Sequence, residues 1–288
     1  MRPFSLARPT SIADAIEILS GDPEARLLAG GTDLIIRLRD GTIRTGSVVD
    51  LKRIAELDSA IVEVGGGLAI GATAAMTEVA AHPLVRERYT ALAEGALVVG
   101  SVQIRNRATL AGNICNASPA ADTSPALLVF GAIVVARGRD GERRIGLDDF
   151  FVRSGVTTLG PGEIVTGIEL PPLPSPAGST HVRRTRRRGH DLASITMACA
   201  VLASGETRLA YGSVGPRPLL RVDATGVLAD PAAPDEARLP ILDEMFADAS
   251  PSPGSMRASP EYRLAMLRVL GLRAVATART RLAEAKRA

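Results

Sequence analysis

Two adjacent glycines, Gly30 and Gly31, interrupt the stretch RLLAGGTDLIIRLRDG at residues 26–41, with apolar runs on both sides. A side-chain-free point between two pieces of core permits a tight reversal and lets another group approach the backbone closely. Residues 26–29 read as a strand, 30–33 as a turn and 34–38 as the start of a helix. Amide N–H groups gathered at such a turn form an anion site without any charged side chain. Taken alone, a Gly-Gly turn is more often an ordinary connector.

A second segment changes that balance. NRATLAGNICNASPAADTSPALLVF, residues 106–130, crowds small and polar residues where a simple connector needs two or three. Thr109 can donate to an anion, Asn113 can donate and accept, and Asp122 can accept from a ribityl or ribose hydroxyl. One pyrophosphate held between the two loops would account for both. The chain has no GxxxxGKS/T motif and no GxGxxG after a strand, which argues against P-loop and Rossmann folds. A bound dinucleotide therefore calls for a different fold.

The 288 residues suffice for two or three domains, and 46% hydrophobic content supplies real cores. With 3% aromatics and no Trp, those cores are built from Ala, Val, Leu and Ile. The net charge is +3, and only Lys52 and Lys286 of the 34 basic residues are lysines. The arginines are interleaved with 31 acids and few aromatics, unlike the one-sided basic face of a nucleic-acid binder. Cys115 and Cys199 have no CxxC companion, so no disulfide framework, zinc site or iron–sulfur cluster arises from this chain. Cys115 reads as a small buried residue. His82, His181 and His190 are scattered without metal-ligand spacing. The neighbours Asp148 and Asp149 read as capping or surface residues. The apolar run ALLVFGAIVVA is too short to span a bilayer, and MRPFSLARPTSIADAIEIL lacks a signal-peptide core. The expectation is a cytoplasmic protein with no membrane segment.

Local signals give an α+β order. Thr10 or Ser11 caps a helix bearing Ile12, Ile16 and Leu19, which Gly21 ends. Residues 48–51 read as a strand, 61–64 and 68–71 as a hairpin, and Thr73 as the cap of the helix that follows. Ser124 and Pro125 open a further helix that Gly131 closes. Strands are expected at 133–136, 164–170, 191–203 and 207–213. PPLPSPAGS at 171–179 is the clearest linker, placing a domain boundary near residue 176. Val182 to His190 (VRRTRRRGH) is a charge cluster that reads as a solvated loop or a partner-facing patch. Ser259 and Pro260 start a long terminal helix with Leu264, Leu267, Leu270 and Val275 on its apolar face.

AGGTDL (29–34), QIRNRATLAGNICNASPAADTSPALL (103–128) and GEIVTGIELP (162–171) together resemble the FAD-binding subunit of molybdenum hydroxylases. That family includes the medium subunit of aerobic carbon monoxide dehydrogenase and the xanthine dehydrogenase FAD subunit. The likeness extends over nearly the whole chain, through YGSVGPRP and the SPEYR helix. It implies an α+β, vanillyl-alcohol-oxidase-like (PCMH-type) FAD-binding fold: two α/β subdomains, about 1–56 and 57–175, and a C-terminal α+β domain, 176–288. By the same resemblance, Leu27, Leu28, Ala29, Gly30, Gly31, Thr32, Asp33 and Leu34 wrap the FAD pyrophosphate from one side. Thr109, Leu110, Ala111, Gly112 and Asn113 close it from the other. Asp122 binds a flavin-side hydroxyl or ring nitrogen, Gly100 lies against the cofactor, Val165 packs on the isoalloxazine and Arg183 sits near its pyrimidine edge.

Two positions depart from the family pattern. Ala111 stands where the first glycine of a GGN triplet is usual, which requires a backbone open to any residue. Arg183 replaces a lysine of xanthine dehydrogenase-like members, keeping the cation with a different geometry. The resemblance implies an electron-transfer subunit without catalytic acid–base residues, and no metal on this chain. Its partners would be a large molybdenum-cofactor subunit and a small subunit with 2Fe–2S clusters, arranged as a dimer of heterotrimers. The alternatives are a self-sufficient flavin oxidoreductase of the same fold, a flavin-free partner-binding module, and a nucleic-acid protein.

Overall fold

The chain opens with β1 (Ser5–Ala7), α1 (Ile12–Gly21), β2 (Arg26–Leu28), α2 (Leu34–Arg39) and β3 (Ser47–Asp50), in a computed structural model that describes residues 2–187 and 189–287. The three strands form a parallel sheet in the order β1-β3-β2. Parallel neighbours need crossovers, and α1 and α2 supply them. Ser11 is the cap of α1, its hydroxyl accepting from the Asp14 N–H at 3.1 Å. Ile12, Ile16 and Leu19 recur on the buried face, as their spacing requires.

A second unit holds a five-stranded antiparallel sheet. It comprises β4 (Ile61–Val64), β5 (Gly67–Gly71), β6 (Ile133–Gly138), β7 (Gly141–Gly146) and β10 (Ile164–Leu170), in the order β4-β5-β10-β6-β7. Between β5 and β6 the chain runs through α3 (Met76–Ala81), α4 (Pro83–Arg88), α5 (Thr90–Leu97), α6 (Val102–Arg105), α7 (Leu110–Cys115) and α8 (Thr123–Val129). Before β10 come α9 (Leu147–Phe150) and the small hairpin of β8 (Phe151–Arg153) and β9 (Val156–Thr157).

Two helix starts differ from the sequence expectation. Thr73 does not cap α3: its hydroxyl reaches the Leu57 carbonyl instead, while Glu78 Oε2 accepts from the Ala75 N–H at 2.7 Å. The α8 helix begins at Thr123, ahead of Ser124 and Pro125, and Asp122 occupies its cap position. Gly131, at φ +64°, lies just beyond its end.

The third unit is the antiparallel sheet of β11 (Ala177–Arg184), β12 (Ile195–Leu202), β13 (Thr207–Gly212) and β14 (Leu219–Asp223), in sequential order, with α10 (Asp235–Met245) and α11 (Pro260–Ala285). The linker is shorter than expected, because Ala177, Gly178 and Ser179 already belong to β11. Every residue of β12 is buried. Ile195, Met197, Cys199 and Val201 face the core that contains Leu267, Leu270 and Val275 of α11. Ala198 and Ala200 face the other way, into the core of the preceding unit. A strand covered on both faces reads as a continuous apolar run, as ITMACAVL does. Leu264 departs from the expected apolar face of α11 and is 42% exposed.

Candidate functional site

The glycine pair builds a close contact between segments far apart in sequence. A Cβ at Gly30 would lie 2.0 Å from the Arg107 carbonyl oxygen and 3.0 Å from the Ala108 Cα, so only a hydrogen fits. The 29–34 loop is thereby seated against the residues that lead into Thr109. Arg37 of α2 donates to Asn116 Oδ1 at 3.3 Å, a second tie between the same segments. Gly31 has φ +78°, the left-handed region that glycine adopts freely, and its carbonyl accepts from the Ile35 N–H at 3.1 Å. Among the described residues, the N–H groups of Gly30, Gly31, Thr32, Asp33 and Leu34 donate to no protein acceptor. That leaves a run of donors able to surround an anion.

The second loop uses most of its backbone amides within the protein. Thr109 Oγ1 accepts from the Gly112 N–H at 3.0 Å, and the Thr109 carbonyl accepts from the Asn113 N–H at 3.0 Å. The Leu110 N–H donates to the Ala74 carbonyl at 3.1 Å. Those three amides are consumed within the protein, so the loop offers the Thr109 and Asn113 side chains together with the Ala111 N–H, which donates to no protein acceptor among the described residues. The Thr109 hydroxyl keeps its proton to donate. Asn113 Oδ1 accepts from Thr123 Oγ1 at 2.7 Å, which leaves the Asn113 NH2 group free to donate. Ala111 lies inside α7 and is 5% exposed, so its helical backbone does not call for glycine. Burial raises the Cys115 thiol to about 12, which makes it an inert neighbour.

Asp122 joins this loop to the C-terminal sheet. It is 8% exposed. Its Oδ2 accepts from Arg183 Nη1 at 2.9 Å, and its Oδ1 has no hydrogen-bond partner among the described residues. His181 Nε2 stands 3.6 Å from that oxygen and 2.9 Å from Thr196 Oγ1. A buried carboxylate oxygen without a donor is costly, and a ligand hydroxyl or ring N–H would satisfy it. The cradle at Gly30, the free loop amides and this orphaned oxygen fit a large polyhydroxylated dinucleotide such as FAD.

The remaining sequence-derived residues are placed less directly. Gly100, at φ +52°, precedes α6, and a Cβ there would press on Ile104. Val165 is 5% exposed within the core of the central unit, beside a register shift in β10, so little of it is left to face a ring. Its strand packs against α7. In the charge cluster, Arg183 and Arg184 belong to β11, Arg186 and Arg187 lie near Asp191, and Arg188 lies outside the described residues. Asp148 pairs with Arg217 on the surface. The sequence weighed His181 only as a metal ligand and gave no role to Thr196. The signal was the alternation of Ser179, His181 and Arg183 along β11, masked by the surrounding arginines.

The described residues contain no group of three or more His, Cys, Asp or Glu placed to hold a metal. They contain no helix long and apolar enough to cross a membrane. A family profile described as FAD binding domain in molybdopterin dehydrogenase matches residues 2–173, and one described as CO dehydrogenase flavoprotein C-terminal domain matches residues 180–278. The putative xanthine dehydrogenase FAD-binding subunit of Escherichia coli is 31% identical, over 95% of each chain. The carbon monoxide dehydrogenase medium chain of Hydrogenophaga pseudoflava is 29% identical over 91% of this chain and 92% of its own. A chain in the structure of reconstituted CO dehydrogenase from Oligotropha carboxidovorans superposes with TM-score 0.90 at 28% identity, covering 97% of this chain and 99% of that one. The chain therefore belongs to the family of FAD-binding subunits of molybdopterin dehydrogenases.

Proposed function

We propose that this chain is the electron-transfer subunit of a multi-subunit molybdenum hydroxylase, holding FAD between the 29–34 loop and the Thr109–Asn113 segment. With FAD bound, the subunit would pass electrons from 2Fe–2S clusters of a small partner subunit to an external acceptor, the flavin supplying exchange between single electrons and pairs. The observation that carries this reading is the seating of Gly30 on the Arg107 carbonyl, which brings the two loops together. The free N–H groups from Gly30 to Leu34, with the Thr109 hydroxyl and the Asn113 amide, would hold the pyrophosphate. Asp122 Oδ1 would accept from a flavin-side hydroxyl or ring N–H. Arg183, fixed by Asp122 Oδ2, would place positive charge beside the ring system and favour its reduced, negatively charged form.

The PCMH-type assignment, with subdomains at about 1–56 and 57–175 and a C-terminal domain at 176–288, belongs to this proposal. So do the large molybdenum-cofactor partner, the dimer of heterotrimers and the cytoplasmic location. The isolated full-length chain, reconstituted with excess FAD and freed of unbound cofactor, should show a flavin absorbance spectrum at about one equivalent per chain. A colourless product would falsify the flavin reading. Turnover of an organic substrate by this chain alone would favour the self-sufficient oxidoreductase instead. Steep salt-dependent DNA binding would point to the nucleic-acid alternative.

A further inference from the structure

Arg263 is a buried cation with only neutral partners. It lies near the start of α11 and is 3% exposed. Its Nη1 donates to the Ser213 carbonyl at 2.7 Å, its Nη2 donates to Ser255 Oγ, and its Nε has no partner among the described residues. Burying a guanidinium without a carboxylate is expensive, so stability alone is a poor reason for its presence. Its principal partner is itself unusual. Ser213 adopts φ +68°, a left-handed conformation that a non-glycine residue holds only when its surroundings enforce it.

Three bonds enforce it. Arg263 takes the Ser213 carbonyl, Ser213 Oγ donates to the Ala193 carbonyl at 2.9 Å, and the Ser213 N–H donates to the Pro119 carbonyl at 2.7 Å. The last bond crosses from the C-terminal sheet to the loop that carries Asp122. Gly212 lies against the same carbonyl, where a Cβ would stand 2.4 Å from the Pro119 oxygen. Between Pro119 and Asp122 the loop is stiff. Ala120 N–H and Ala121 N–H bond back to Ser118 Oγ and Ser118 O, at 3.3 and 3.0 Å. A shift of Pro119 is therefore carried to Asp122.

We infer that Arg263 is a positioning residue: it holds the Gly212-Ser213 turn, and that turn fixes the loop presenting Asp122 to FAD. The inference rests on the FAD reading above, and Arg263 itself touches no cofactor. The test uses the full-length chain with FAD as the titrant. Arg263→Met keeps the apolar stem and removes the donors, and FAD affinity should fall about tenfold. Arg263→Lys keeps a cationic donor on a stem long enough to reach the Ser213 carbonyl, and should retain most of the affinity that Arg263→Met loses. A role confined to filling space would be met equally well by Met, so only the hydrogen bond separates the two variants. Gly212→Ala keeps every bond of Arg263 but pushes on the Pro119 carbonyl, and should lower affinity comparably. Should Arg263→Met fail to fold, Gly212→Ala decides.

Wild-type affinity in folded Arg263→Met or in Gly212→Ala overturns the inference, as does an Arg263→Lys chain that binds FAD no better than Arg263→Met. Failure of the unsubstituted chain to bind FAD would overturn the flavin reading together with it, so the two failures are distinguishable.

Discussion

A methyl group at position 30 has nowhere to go. The contact it would make, 2.0 Å from the Arg107 carbonyl oxygen, involves backbone on both sides, so no rotamer change relieves it. Gly30→Ala should push the two loops apart and weaken FAD binding by tenfold or more, on the order of 1–3 kcal/mol of overpacking. Flavin absorbance retained after gel filtration measures this, and full retention would remove Gly30 from the cradle. Gly31 acts differently from what its sequence position suggests. A Cβ there meets Leu28 Cδ1 and Ile35 Cγ1 rather than open space for a pyrophosphate. Gly31→Val would thus disturb the turn through its φ of +78° and through those side chains, and would not simply occlude the ligand. Arg183 also means more once its partner is visible. Arg183→Ala leaves the buried Asp122 carboxylate without its cation, and the added negative field should lower the reduction potential of bound FAD. Adding Asp122→Asn removes that field, so the double variant should return toward the wild-type potential. Equal potentials in wild type and Arg183→Ala would take the pair out of the flavin's environment.

Elements whose signals are local were readable from the sequence. Ser11 and Ser259 cap their helices, and the run from β2 through the glycine turn to α2 lies where strand, turn and helix were expected. Three of the elements that the sequence did not announce show why. The end of β11 carries Arg183 and Arg184, so a strand pressed against two layers looked like a solvated basic loop. The β14 strand is short and partly exposed, and α10 has Pro240 in its interior, which argues against a helix until tertiary contacts override it. The site was legible to a similar extent. The cradle residues announce themselves by type and spacing, whereas the Asp122–Arg183 pair is a contact between distant segments that no local pattern encodes. The hidden β11 also approaches α11 closely at Gly178. A Cβ at Gly178 would sit 2.0 Å from the Ala278 carbonyl oxygen and 2.4 Å from the Leu282 N of α11. Gly178→Ala should therefore lift α11 from the sheet and cost about 1–3 kcal/mol. Urea unfolding of the two proteins checks this, and an unchanged midpoint would contradict the packing.

At the scale of the whole molecule, the central helices and the C-terminal sheet meet across a polar seam centred on Glu94. Glu94 Oε2 accepts from the His181 N–H at 2.8 Å and from Thr180 Oγ1 at 3.1 Å, and Oε1 accepts from Arg281 Nη2 at 2.5 Å. Arg281 in turn donates to the Ser179 carbonyl at 2.6 Å. One α5 carboxylate thus grips both β11 and α11, on the same strand that delivers Arg183 to Asp122. Burial works to raise the Glu94 carboxyl, but Arg281, the His181 amide and Thr180 outweigh it and hold the group below its usual 4.5. A carboxyl depressed in the folded state stabilises that state when ionised. Its contribution is complete above the unfolded value near 4.5 and is lost as pH falls through the lower folded value. Glu94→Gln cannot ionise and lacks that dependence. Urea midpoints measured from about pH 7 to about pH 3 should show a wild-type advantage at neutrality that shrinks below about pH 4.5. Asp50 and Glu163, also held low by basic neighbours, are present in both proteins and cancel in the difference. A gap between the two proteins that stays constant over the whole range would mean that the seam does not depend on the Glu94 charge.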